Sequence, residues 1–253
     1  MKIYAFGDSF TFGHGLPDRV DGIMQGLDTD PGSEYSWVRW LERLTGVPTV
    51  NRGMPGASNK LIQYRIQNSD IQPDDIAICM WSTYTRTCTF KSPDIIDRDD
   101  FAVFMAMDLN YPRDDEEKVK IYSANRSYFK YKYDDYDAQY DTWQIISHMD
   151  MYLKSKCRAV IHTTTFDVGI LGDLAPTMFN VPLESPKSAQ VPNWVYPVIT
   201  GVFPGFYRER ELPLCPDGHP GVEANEVFGR RLAEHLARLD LVNINNNVTS
   251  NMP

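Results

Sequence analysis

Lys2-Ile3-Tyr4-Ala5-Phe6-Gly7-Asp8-Ser9-Phe10-Thr11-Phe12-Gly13 opens the chain on a short apolar, β-prone run that stops at a glycine. The run reads as a strand, and Gly7 and Gly13 permit the backbone geometry of a tight strand-to-helix turn. Such a turn delivers Ser9 to the strand end, with its own amide able to point at a developing oxyanion. A serine hydroxyl is a poor nucleophile at neutral pH. It needs an imidazole to take its proton and a third group to orient that ring. Near the other end of the sequence stands Asp217-Gly218-His219-Pro220, which offers both.

Outward from this strand, strands and helices alternate as a parallel sheet requires. Tyr35 to Leu44 carries apolar residues at helical spacing, with Gly46 as its stop, and forms the first crossover helix. Pro48 to Asn51 reads as the second strand and Asn59 to Asn68 as the second helix. Asp75 to Trp81 is a near-continuous apolar run that suits a centrally buried third strand. Cys157 to Thr165 is the fourth strand, and Val222 to Leu239 the last helix, behind a Pro-Gly start. Two stretches, 85–139 and 166–214, exceed ordinary loop lengths and read as insertions. The first holds a Tyr-rich segment from Tyr122 to Tyr136. Its rings either wall the site or pack a helix or an oligomer interface. Residues 1–242 read as one domain, and 243–253 as a polar tail expected to be disordered.

The chain has 253 residues, enough to bury a sizeable core without dividing. Its formal net charge of -9 argues against a phosphate-binding surface, so no nucleic-acid partner is expected. Cys79, Cys88, Cys157 and Cys215 are widely spaced without metal-ligand pairing and read as reduced thiols. The first strand begins almost at once, and no apolar stretch reaches the length of a membrane span. Neither a signal peptide nor an anchor is read, and a cytoplasmic location is expected.

Gly7-Asp8-Ser9-Phe10-Thr11-Phe12-Gly13 resembles the first sequence block of the GDSL or SGNH hydrolases, and Asn51 to Asn59 resembles the second. The resemblance implies a three-layer α/β/α sandwich with a mostly parallel, flavodoxin-like sheet. It makes Ser9 the nucleophile, His219 the base, Asp217 the orienting acid and Gly56 the second-block oxyanion glycine. It implies a serine hydrolase of small acyl esters, O-acetyl groups on carbohydrate being the first to try. The alternatives are an O-acyltransferase using the same serine or a non-catalytic binding protein on the same fold. No cofactor or metal is implied.

The chain departs from that pattern twice. The family's last block spaces its acid three residues before the histidine, whereas Asp217 stands two before His219. An extended segment would still put both on one side. A backbone carbonyl or Asp173 remains an alternative orienting group. The third block's Gly-x-Asn-Asp is replaced by Trp81-Ser82-Thr83-Tyr84-Thr85-Arg86. Ser82, Thr83 or Asn59 could then be the missing oxyanion donor, and Arg86 either binds an anionic part of a substrate or pairs with a structural carboxylate. His14 reads as a cleft-lining residue, and His148, His162 and His235 as structural.

Overall fold

β1 (Ile3–Gly7) is buried along its whole length, and its side chains divide between two apolar clusters. Ile3 and Ala5 face one, Tyr4 and Phe6 the other. In this computed structural model, which describes residues 1–20, 24, 26, 29–91, 101–105, 116–164 and 212–245, β1 lies between β2 (Thr49–Gly53) and β3 (Ile76–Trp81). β6 (Ala159–Thr164) pairs with the outer side of β3, giving the order β2-β1-β3-β6 with every pairing parallel. β3 repeats the alternation: Ile76, Ile78 and Met80 face one cluster, Ala77, Cys79 and Trp81 the other. Burial on both faces explains why these strands read as unbroken apolar runs.

Two helical layers cover the sheet. α2 (Trp37–Thr45) and α6 (Val222–Arg238) supply Trp37, Val38, Leu41, Phe228, Leu232 and Leu236 to one cluster. α3 (Asn59–Gln67) and α5 (Asp135–Lys154) supply Leu61, Ile62, Ile66, Trp143, Ile146 and Leu153 to the other. Each large apolar side chain so enclosed contributes about 1.5–3 kcal/mol. The result is a three-layer α/β/α fold on a parallel sheet, as the sequence implies. α2 ends at Gly46, in the left-handed conformation at φ 68°. α2 and α6 approach closely through Gly229, where a Cβ would fall 2.7 Å from Trp40 Cβ. Asn225, buried in α6, accepts the Trp37 amide at 3.0 Å and so caps α2 from across the layer.

Within the 85–139 stretch lies a strand pair that propensity did not reveal. β4 (Arg86–Phe90) and β5 (Phe101–Met105) pair antiparallel in a sheet of their own, followed by α4 (Glu116–Tyr131). Tyr128 packs among Phe104, Phe129 and Tyr133, while Tyr131, Tyr136 and Tyr140 are exposed. Most of 166–214, including Asp173, and the tail beyond Asn245 lie outside the described residues. Among the described residues no helix is long and apolar enough to cross a membrane.

Candidate active site

The chain leaves β1 for β2 on one side and returns to β3 on the other, so the carboxyl end of β1 is a topological switch point, where α/β sheets open a crevice. Gly7-Asp8-Ser9 sits there. Gly7 lets the turn fold back on its own strand: a Cβ would lie 2.1 Å from Thr11 Oγ1. Asp8 caps the short α1 (Ser9–Phe12), its carboxylate accepting the Phe10 amide at 3.1 Å. Gly13 closes the turn at φ 84°. On the β2 side, Asn51 Nδ2 donates to Thr11 O and its Oδ1 accepts Gly53 N, both at 2.9 Å. Ser9 is therefore held by its neighbours' backbone.

His219 reaches this turn from the far end of the sequence. Its Nε2 lies 3.0 Å from Ser9 Oγ, across 210 positions. The Asp217–His219 segment is not extended, as the spacing argument supposed. It is a tight turn with Gly218 at φ 85°, Gly218 N donating to Cys215 O and Cys215 N to His219 O. Asp217 Oδ1 accepts the His219 amide at 3.1 Å, which turns Oδ2 to within 3.0 Å of His219 Nδ1. That last approach has ion-pair distance without hydrogen-bond alignment, and Nδ1 is buried with no hydrogen-bond partner. The loop hangs from α6: Asn225 Nδ2 donates to Pro220 O at 3.1 Å and to Gly221 O at 3.0 Å.

His14 lies against the His219 ring and touches the acid. Its Nε2 lies 3.2 Å from Asp217 Oδ2, and its ring centre 4.6 Å from that of His219. Gly15 makes room for this carboxylate, since a Cβ there would fall 2.5 Å from both oxygens. Burial, then the charge of Asp217, pushes the Cys215 thiol up to about 11, so it stays protonated beside the turn. All four cysteines are free thiols.

The residues offered as oxyanion or substrate contacts fall into two groups. Gly56, at φ 79°, faces open space, and among the described residues neither its amide nor that of Ser9 is bonded to an acceptor. The others have structural partners. Asn59 Nδ2 donates to Ser82 O at 2.9 Å while its Oδ1 accepts Ser82 N at 2.7 Å. Thr83 Oγ1 lies 2.9 Å from Thr85 Oγ1. Ser82 Oγ donates to Asp8 Oδ2 at 3.1 Å. Arg86 Nη1 contacts Asp8 Oδ2 and Ala57 O at 3.1 Å and Ser82 Oγ at 3.0 Å. Of the two readings of Arg86, the geometry matches the partner of a structural carboxylate. Asn59, Tyr84, Arg86 and Tyr128 edge a cavity of about 80 Å³.

A third His–Asp contact joins β6 to α5. Trp81 Nε1 donates to His162 Nδ1 at 2.9 Å, which leaves Nε2–H to face Asp150 Oδ1 at 3.2 Å. Burial lowers the pKa of this ring and keeps it neutral, as suits a core histidine.

A parallel α/β/α sheet with a serine, an imidazole and a carboxylate gathered at its switch point defines the class of site. No family model and no curated protein matches the chain. Among solved structures it is similar to a member of the lipolytic protein G-D-S-L family from Veillonella parvula DSM 2008, at 13% identity over 94% of this chain and 97% of that one, TM-score 0.42. It is also similar to the lipase/acylhydrolase from Enterococcus faecalis, at 13% identity over 98% of this chain and 99% of that one, TM-score 0.38. The chemistry below is argued from this chain's own residues.

Proposed function

We propose that this chain is a serine hydrolase of small acyl esters, working through an acyl-serine. The observation that carries the reading is the 3.0 Å approach of His219 Nε2 to Ser9 Oγ, with Asp217 behind the ring. His219 takes the Ser9 proton as Oγ attacks the ester carbonyl. The amides of Ser9 and Gly56 receive the charge that develops on the carbonyl oxygen. Collapse of the tetrahedral intermediate expels the alcohol, which takes its proton from His219. Water then attacks the acyl-serine with His219 again as base, releasing the acid and restoring the serine. Asp217 stabilises the imidazolium, and catalytic hydrogen bonds of this kind tighten when substrate binds.

With the Asn59 carboxamide engaged by Ser82, the oxyanion rests on two backbone amides. A missing donor costs about 10²–10³ in turnover, so a slow or specialised enzyme is expected. O-acetylated carbohydrates are the first substrates to test, because Tyr84 and Tyr128 line a cavity that Arg86, the partner of Asp8, also edges. The decisive experiment is labelling with a serine-directed fluorophosphonate. Labelling lost in Ser9→Ala and weakened in His219→Ala supports the reading; a folded protein that does not label overturns it.

A further inference from the structure

Asp217 Oδ2 is approached by imidazole nitrogens from two sides, His14 Nε2 at 3.2 Å and His219 Nδ1 at 3.0 Å. The ligand-type atoms of these three residues all lie within 4.8 Å of one another. Zinc holds nitrogen and carboxylate oxygen at about 2.0–2.2 Å, which in a tetrahedron sets neighbouring ligand atoms about 3.3 Å apart. Both N···O edges are close to that spacing before any ion is added. Two further observations favour a ligand set over a closed hydrogen-bond network. His219 Nδ1 is buried without a hydrogen-bond partner, and its approach to Asp217 Oδ2 has the distance of an ion pair without the alignment of a hydrogen bond.

We propose that His14 Nε2, Asp217 and His219 Nδ1 form an inhibitory site for a divalent ion of the zinc class. Two imidazoles and one carboxylate suit zinc or its cobalt surrogate, whereas calcium and magnesium take oxygen ligands. The fourth position is left for water. The inhibition follows from the imidazole itself. Once the Nδ1 lone pair is bound to metal, the proton of the neutral ring sits on Nε2. That nitrogen then donates to Ser9 Oγ and has no lone pair with which to take the serine proton. Metal binding is independent of the proposed hydrolase activity, whereas its inhibitory effect rests on that reading.

The test uses chelator-treated full-length protein titrated with Co²⁺. A visible band of four-coordinate cobalt is expected at one equivalent in the wild type and in Ser9→Ala, and is lost in His14→Ala and Asp217→Asn. Zn²⁺ should slow fluorophosphonate labelling of the wild type by about 100-fold, the low end of what a general base contributes. Chelator should restore it. Within His14→Ala, the ratio of labelling rates without and with Zn²⁺ should fall toward one. A rise in the melting temperature of Ser9→Ala with Zn²⁺ checks binding without any ligand variant. The proposal is overturned if folded wild type gives no cobalt band, if the band survives in His14→Ala, or if Zn²⁺ accelerates labelling. A cobalt band without Ser9-dependent labelling sinks the hydrolase reading but leaves the metal site standing. Normal labelling without a band does the opposite.

Discussion

Arg86 Nη1 donates to Asp8 Oδ2 at 3.1 Å with both side chains almost wholly enclosed by protein. The arginine thus neutralises the carboxylate that caps the Ser9 turn. Removing one partner of a buried pair leaves an uncompensated charge, and Arg86→Met is expected to cost about 3–5 kcal/mol. Urea unfolding measures this. Activity on neutral and anionic esters should fall together; a KM rise confined to anionic esters would instead make Arg86 a substrate contact.

Gly15 is at φ 81°, and the Asp217 carboxylate occupies the space its Cβ would take. Gly15→Ala should therefore displace Asp217 and lower kcat, with little change in KM. Left-handed strain at an alanine adds about 1–2 kcal/mol of instability. An unchanged kcat in a folded Gly15→Ala protein would show that Asp217 does not need this position.

Asn225 ties the His219 loop to α6 and caps α2 at once. Asn225→Ala strands a buried amide and should cost about 1–3 kcal/mol. Because the loop loses both bonds from the Asn225 side chain, Ser9 labelling should slow even at temperatures where the variant stays folded. Full-rate labelling by a destabilised but folded variant would confine Asn225 to a structural part.

Burial lowers the pKa of His162 from its ordinary 6.5. The unfolded chain then binds more protons than the native one as pH falls below that value, so stability drops with acidification. The contribution is fully present above pH 6.5 and is lost as pH falls through the depressed native pKa. Melting temperatures from pH 8 to pH 5 should show this slope in the wild type. His162→Gln, whatever its absolute stability, should flatten it.

Much of the sheet was legible because burial on both faces leaves a local mark. The runs of β1 and β3, the helical spacing of α2 and the glycine stop at Gly46 each follow from neighbours in sequence. Ser9, Asp217 and His219 were legible as short motifs, although the turn that joins the last two was not. What escaped were partnerships made at long range. Asn59 finds Ser82 across 23 positions and Arg86 finds Asp8 across 78, so the same side chains read equally well as substrate contacts. His14 lacks an adjacent acid in a matching motif to betray its contact with Asp217. The β4–β5 hairpin was hidden in a segment whose charges and prolines suggested only insertion.

The Asn225 and Gly229 contacts that seat α6 on α2 also order events in time. Ser9 is made at the start of synthesis, while His219, which approaches its hydroxyl at 3.0 Å, hangs from α6 and takes its place once that helix has docked. On the proposed reading, a nascent chain stalled before that helix carries an inert hydroxyl, and Ser9 reactivity is a late acquisition of maturation that reports its completion.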